Sequence, residues 1–497
     1  MSSFDGLMHG FTIALTMQNL LAAFLGALAG TLVGVLPGLG PLGGIALILP
    51  ITYSFDPTTG LIAMAGIFYG AMYGGSTTAI LINVPGEVAS AITCLDGYQL
   101  TRKGRAGAAL TIVAVGSFVG GTVSVLGIML LSPAVSRAAL LFGPPEYFAM
   151  LLGGLLIFSR ISGGTLAAGL FPMTIGLLLA TVGQEAVTGQ QRFIFGINEL
   201  SPGFTLVAVV IGLFAVAEMM HLVATKEDHI PPVSIRMRDL MPTKEEWKRS
   251  FWPMGRGTVV GFIMGALPGP PSSMSSFASY RLEQAVSKYR HELGTGAIEG
   301  VAGPETANNA AATATLIPLL AMGIPFGAIT ALMMSSLMIH GINPGPLLIR
   351  NYPDLFWGLI ASMYIGNVML VILNVPLVGV WVSLLRVPQY IFLPMIVLLT
   401  IIGAYSVNNS MLDVWLLPLV GCIGYVLNKL GFRLAPMVIG LVLGPLVEKH
   451  LREALILSNG QVSTFWSSPV AVVTWIVVIG VLLFGFLLRP KEVAADD

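Results

Sequence analysis

GALAGTLVGVLPG, residues 26–38, recurs as GTVVGFIMGALPG at residues 257–269, 231 positions later and without a gap. Gly26, Gly30, Gly34 and Gly38 stand four apart, as do Gly257, Gly261, Gly265 and Gly269. Residues four apart share one helical face, so each ladder is a stripe without side chains on which another backbone can close. Such a stripe alone is a common packing device in membrane helices. The Leu-Pro-Gly ending says more, because proline removes a backbone donor and glycine lets the chain turn sharply. The 12 residues from Gly257 to Pro268 span about 18 Å as a helix, roughly half a bilayer's hydrocarbon thickness. The charged flank WKRSFWPMGR, residues 247–256, holds the helix start near the surface. The break is therefore expected near mid-membrane, where irregular backbone survives only inside protein or beside a water-filled cavity.

The composition agrees with that setting. The 497 residues are 55% hydrophobic and only 10% charged, with a mean hydropathy of +0.86; a soluble domain carries about 25% charged residues. The chain reads as an integral membrane protein. Its net charge of zero argues neither for nor against an acidic partner, and its cations sit in short loops, not along a nucleic-acid-binding stripe. Cys94 and Cys422 lie in apolar surroundings without metal-ligand spacing and read as inert packing residues. The N-terminus has no signal-peptide pattern. Residues 4–17 instead suggest an amphipathic interfacial helix, with Asn19 capping a new helix from Leu20.

Apolar stretches of spanning or near-spanning length predict an all-α integral membrane protein of about 12 transmembrane helices or hairpin segments. The expected division is an interfacial helix (1–18), a first repeat (19–225), a cytoplasmic linker (226–256), a second repeat (257–460), and a C-terminal helix with a short tail (461–497). The polar interval 224–256 holds seven Lys/Arg against five acids, and TRKGRAG (101–107) and the stretch around Arg281, Lys288 and Arg290 are also basic. By the positive-inside rule all three face the cytoplasm, as solvated loops. The first ladder follows an N-terminus with no basic residue, whereas the second follows a basic flank. The two ladders are thus expected to enter from opposite faces, as inverted-topology repeats whose broken helices meet near the midplane. A second pair of interruptions runs in the same order: GGSTTAILINVPGEVASAIT at 74–93 passes to Pro85-Gly86, and PETANNAAATATLIPLLAMGIPFGAIT at 304–330 passes to Pro325. Both finish in Ala-Ile-Thr, although the spacing differs.

GTLVGVLPGLGPLGG, YGAMYGGSTTAILINVPGE, LDGYQLTRKGRAGAAL and PETANNAAATATLIPLLAMGIPFGA together resemble the large membrane subunit (TctA type) of the bacterial tripartite tricarboxylate transporters. The resemblance runs from about Leu7 to the early 450s. It implies a multi-pass protein of the bacterial inner membrane that imports citrate-like di- or tricarboxylates by sodium or proton symport. The implied partners are a small membrane subunit and a periplasmic solute-binding protein that delivers the substrate, with a dimer of the complex as a further option. The motifs do not name the carboxylate.

The residues themselves suggest where an anion would bind. Half-helix N-termini offer N–H donors and positive potential without a fixed cation that would trap the substrate. Gly38 and Gly40 after the first break, and Ser272 and Ser273 after the second, are the candidates. Ser76, Thr77 and Thr78 could add side-chain donors, or could be small packing residues; Asn308 and Asn309 are costly in a membrane unless paired or functional. A sodium ion wants oxygen ligands, for which the carbonyls at Pro37 and Pro268 and the hydroxyl of Thr313 are candidates. Glu305 reads first as a cap on the following helix and second as a coupling-proton site, and Glu87 likewise. No organic cofactor is expected.

Other function classes fit less well. His291-Glu292 begins an HExxH-like string, but position 295 is Thr. Gly75-Ser76 has no histidine in a plausible partner helix, and no GxxxxGK[ST] loop exists. The chain therefore does not read as an enzyme. The alternative is a channel-like or binding-protein-independent permease for another small organic anion. Paired half-helices around a closed site favour alternating access, with elevator-type sliding as the preferred motion.

Overall fold

The computed structural model describes residues 2–36, 40–162, 165–185, 188–224, 237–384 and 389–487. The chain forms two compact units, Met1–Ala139 with Thr205–Lys429, and Leu140–Phe204 with Leu430–Asp497. In chain order the first unit opens with α1 (Ser3–Ala14), α2 (Met17–Val35), α3 (Gly40–Thr52), α4 (Pro57–Ile82), α5 (Thr93–Arg102) and α6 (Ala106–Ala139). The second unit follows with α7 (Pro144–Ser162), α8 (Leu166–Leu179) and a short antiparallel pair, β1 (Gly183–Gln184) and β2 (Gln191–Arg192). The first unit resumes with α9 (Leu206–Val210), which runs through a π-helical stretch into α10 (Ala217–Ala224), then α11 (Lys244–Gly265) and α12 (Pro271–Val286). It continues with α13 (Glu299–Ala314), α14 (Leu316–Met322), α15 (Ala328–Ile339), α16 (Leu348–Asn351) and α17 (Pro353–Asn374). It closes with α18 (Val378–Leu384), α19 (Gln389–Asn408) and α20 (Met411–Lys429), and α21 (Ala435–Leu457) and α22 (Pro469–Leu487) complete the second unit. Among the described residues, 5 helices are long and apolar enough to cross a membrane, and several shorter apolar ones accompany them. The chain is an all-α, multi-pass membrane protein.

The glycine ladders are contact surfaces. A β-carbon on Gly26, Gly30 or Gly34 would fall 2.4, 2.4 or 2.3 Å from the carbonyl oxygens of Ala63, Ile67 and Ala71 on α4. On Gly257, Gly261 or Gly265 it would fall 2.3, 2.3 or 2.5 Å from those of Gly303, Ala307 and Ala311 on α13. Only a hydrogen fits in either place, which is how two helices reach backbone contact where no aqueous hydrophobic effect drives them together.

The same register continues beyond the ladders. Ala63, Ile67 and Ala71 lie 240 positions before Gly303, Ala307 and Ala311, and that offset carries Asn83 onto Gly323, Pro85 onto Pro325 and Ser90 onto Thr330. Asn83 and Gly323 are both left-handed helix caps, at φ 58° and 72°. The Glu87 N–H donates to Ser90 Oγ at 3.3 Å, and the Gly327 N–H donates to Thr330 Oγ1 at 3.1 Å. The shared Ala-Ile-Thr letters at 91–93 and 328–330 are three places out of this register. The true equivalence is one of backbone geometry, which letter matching could not see. The packing is also reciprocal: α6 lies on α11 and α13, whereas α17 lies on α2 and α4.

Several expectations are corrected. Asn19 lies inside α2, whose N-cap is Thr16; its amide donates to the Ile13 carbonyl at 2.9 Å and its oxygen accepts from Thr59 Oγ1 at 2.6 Å. The helix carrying the second ladder begins at Lys244, capped by reciprocal bonds between Thr243 and Glu246, so residues 244–256 are helix and not loop. The basic segments are interlocked as well as solvated: Arg105 pairs with Glu246, Arg249 with Glu292 and Glu299, and Arg256 with the fully buried Glu283. Arg249 also stacks on the Tyr289 ring at 3.7 Å. Cys94 is half-buried and Cys422 exposed, both as free thiols, so neither is a core packing residue.

The second unit repeats the close-contact device. A β-carbon on Gly176 would lie 1.9 Å from the Met437 carbonyl oxygen, and one on Gly440 would lie 2.4 Å from that of Met173, so α8 and α21 touch through backbone. Phe148, Ala454 and Phe465 form its small apolar core, with Trp475 against it. The polar second half of α21 carries Glu448, which is bonded to Arg192 at 2.8 and 3.0 Å. That guanidinium, followed by burial in the opposite sense, leaves the Glu448 carboxyl below its ordinary range.

Candidate functional site

The site is built where α13 crosses the end of α4 and the turn that follows it. Glu305 sits mid-helix on α13, not at a helix start, so it caps nothing; it is 1% exposed. Its carboxylate accepts from Ser76 Oγ on α4 at 2.5 Å and from Thr93 Oγ1 at the start of α5. One turn on, the Asn308 amide donates to Glu87 Oε1 at 2.8 Å. Glu87 stands at the N-cap position of the 3₁₀ turn Val88–Ala91, where its carboxyl takes backbone N–H, and it accepts from Asn308 across the fold as well. The Asn309 amide donates to Ser117 Oγ on α6 at 2.7 Å. Among the described residues the partners of the two carboxyls are hydroxyls, a side-chain amide and backbone N–H groups, with no cation among them. Neutral donors soften a negative charge without cancelling it, so ionising the buried Glu305 and the half-buried Glu87 together is costly.

The remaining expected residues fall in several places. Thr77 and Thr78 are buried on α4 beside Ser76, and Thr78 gives its hydrogen to the Gly75 carbonyl at 3.0 Å, a packing arrangement. Gly40 opens α3 with a left-handed backbone, φ 59°, and open space around it. Ser272 and Ser273 lie half-buried in the first turn of α12, and the Ser272 carbonyl accepts from Ser275 and Ser276. Pro268 lies in the non-helical link between α11 and α12, where the Gly269 N–H reaches the Phe326 carbonyl in the turn between α14 and α15 at 3.5 Å. Thr313 is buried near the end of α13. Pro37 and Gly38 lie outside the described residues. The structure thus gathers Ser76 and Asn308 around the two acids and bonds Asn309 to Ser117 on α6 instead. It places Gly40, Ser272 and Ser273 at helix starts and bonds none of their described side chains to the acids.

Thr93, Ser117 and Asp96 are not among the residues singled out from the sequence as site candidates. Asp96, fully buried on α5, accepts from the N–H groups of Gly294, Gly296 and Ala297 at 2.9, 2.7 and 2.8 Å and from Tyr280 Oη at 2.8 Å. These donors come from about 200 positions downstream, as the chain turns into α13. Asp96 therefore locks the start of α13 to α5, and so fixes the height at which Glu305 meets Thr93. The LDGY stretch at 95–98 was the only hint, and it named no partner.

Comparison with known proteins follows this geometry. The model of the tripartite tricarboxylate transporter TctA family matches residues 20–439. An Agrobacterium vitis protein described as an uncharacterized 52.8 kDa protein in the TAR-I ttuC' 3'region is 47% identical over 471 residues, covering 95% of this chain and 94% of its own. Another from Agrobacterium vitis, described as an uncharacterized protein in the TAR-II ttuC' 3'region, is 50% identical over 211 residues, covering 42% of this chain and 87% of its own. No solved structure matches the chain.

Proposed function

The chain belongs to the tripartite tricarboxylate transporter TctA family, and from that premise we propose that it imports a di- or tricarboxylate, citrate-like, across the bacterial inner membrane by Na+ or H+ symport. As a member of a transporter family, it is a component of a tripartite transporter, with a small membrane subunit and a periplasmic binding protein as its partners. The observation that carries the proposal is the cluster of buried Glu305, Ser76, Thr93 and Asn308 with the half-buried Glu87. Ionisable groups are kept inside a membrane domain where an ion or substrate passes. Here they sit where the two interrupted segments meet, the expected location of a secondary transporter's site. Inverted topology of the two ladder-bearing halves, and sliding of one bundle past the other, are the arrangement and motion we propose for alternating access.

The experiment is uptake of labelled di- and tricarboxylates into proteoliposomes containing the complete three-protein system, under imposed sodium or pH gradients. Uptake that follows one of the two gradients, with counterflow exchange of labelled substrate, is the expected result. Uptake indifferent to both gradients would refute symport. Flux without counterflow would point to a channel.

A further inference from the structure

We propose that Glu87, Glu305 and Asn308, with Ser76 and Thr93, form a binding site for a monovalent metal cation of the sodium class. The inference rests on the symport reading above and assigns it a location, away from the carbonyls at the Pro-Gly breaks.

Two observations carry it independently. The first is the donor set. The buried Glu305 and the half-buried Glu87 share one cluster, and their bonded partners among the described residues are hydroxyls, a side-chain amide and backbone N–H groups. A hydroxyl or an amide can orient toward an anion, but neither supplies the positive charge that the two carboxylates lack. The second is an unused acceptor. Asn308 is 0% exposed and gives its Nδ2 to Glu87, while its Oδ1 has no hydrogen-bond partner among the described residues. Buried side-chain oxygens are rarely left unpaired, because desolvation is then uncompensated. Through its own amide group this oxygen is held beside the Glu87 carboxylate. A cation between the acids would engage Asn308 Oδ1, carboxylate oxygens of Glu87 and Glu305, and the lone pairs of Ser76 Oγ and Thr93 Oγ1. All are oxygens, the ligand type a hard cation takes.

The site would also account for coupling. An anionic substrate approaching two bare carboxylates is repelled, whereas the same approach with a cation already seated meets a site of lower negative charge. Cation and substrate would then each strengthen binding of the other, as linkage requires. The ligands come from both ladder-bearing halves: Ser76, Glu87 and Thr93 precede residue 100, and Glu305 and Asn308 follow residue 300. Cation binding would therefore tie α4, the turn at Glu87 and α13 together.

The test uses the full chain purified in detergent, without substrate, and follows its thermal midpoint in sodium chloride against choline chloride at matched ionic strength. Wild type is expected to show a saturable rise with sodium only. Glu305→Gln, Glu87→Gln and Asn308→Leu should each weaken the apparent sodium affinity at least tenfold. Glu448→Gln in the second unit should retain the rise. Should a variant fail to fold, a second measurement needs none of them: maleimide labelling of Cys94, next to Thr93, in a Cys422→Ser background. Sodium should slow that labelling at least threefold relative to choline. The proposal is overturned if wild type shows no sodium-specific rise or protection, if Glu305→Gln, Glu87→Gln and Asn308→Leu keep the rise, or if the rise follows pH and not sodium. Uptake by the complete system separates the two readings. If uptake is sodium-driven while Glu305→Gln keeps the sodium rise, this site falls and symport stands. If uptake needs no gradient, symport falls whatever the binding result.

Discussion

Helix α4 and the α13–α14 pair are packed alike and equipped differently. Ala63, Ile67 and Ala71 turn their carbonyls to the first glycine ladder as Gly303, Ala307 and Ala311 do to the second. Both runs end in a left-handed residue before an X-Pro pair. Yet the offset that superposes these features sets Ala65 against Glu305, Phe68 against Asn308 and Tyr69 against Asn309. The scaffold is doubled, and the acid and both amides appear in one copy only. Duplication supplies two close-packed helix pairs and two interruptions, while charge and amides are added where a single site needs them. The other acid, Glu87, comes from the opposite copy, at the position where the second has Gly327.

The largest effect should come from breaking what the copies share. Gly30→Leu and Gly261→Leu each drive a side chain into a carbonyl that a β-carbon would already approach to 2.4 or 2.3 Å. Two backbones must separate, and no rotamer avoids it. The yield of monodisperse protein on size exclusion should fall to about a tenth of wild type or less in both. Near-normal yield from either variant would mean that the ladder on that side is dispensable, and the copies would not be equivalent even as scaffold.

Next comes the position where they differ. Glu305→Gln should leave folded protein in the membrane and lower uptake by at least about a hundredfold, because a neutral amide cannot carry the charge. Ala65→Ser at the equivalent place should leave uptake within about twofold, since a small hydroxyl fits a small apolar site. The check is initial uptake rate normalised to protein amount. Comparable losses from both would make the asymmetry irrelevant to function.

A smaller effect separates the two caps. Asn83→Gly should change stability by about 0.5 kcal/mol or less, since both residues adopt a left-handed backbone. Gly323→Asn should cost about 2 kcal/mol, because a β-carbon there would fall 2.4 Å from the Pro344 carbonyl oxygen. Thermal midpoints of the two variants decide it. Equal shifts would show that Pro344 yields and that the caps are interchangeable.

How much of this was legible in sequence follows from the kind of signal involved. The ladders and Pro-Gly endings were, because helical spacing and proline chemistry are local. The oddity of Asn308 and Asn309 was also visible, because amides in an apolar stretch stand out. Thr93 and Ser117 were not, since a threonine and a serine in a membrane protein are ordinary until a carboxylate 212 places away, or an amide 192 away, meets them. Glu305 was misplaced for a related reason. It was read as a cap on a following helix, whereas α13 already begins at Glu299 and Glu305 lies within it. Asn19 failed the same way, read as a cap where the chain had started its helix two residues earlier.

The smallest expected effect sets a scale for the buried acids, and it lies outside both copies. Glu448 is about a quarter exposed and is paired with Arg192, which leaves its carboxyl below the ordinary range. A carboxyl depressed by folding adds stability above its unfolded pKa and loses that contribution as the pH falls through its folded value. Glu448→Gln should therefore lower the thermal midpoint slightly at pH 7, equivalent to roughly 1 kcal/mol or less for a partly solvated pair. The gap should close as the pH falls below the usual carboxylate range of about 4. Uptake at pH 7 should stay near wild type throughout. If Glu448→Gln impaired uptake as much as Glu305→Gln, loss of any carboxyl would suffice, and the special position of the acid on α13 would have no support.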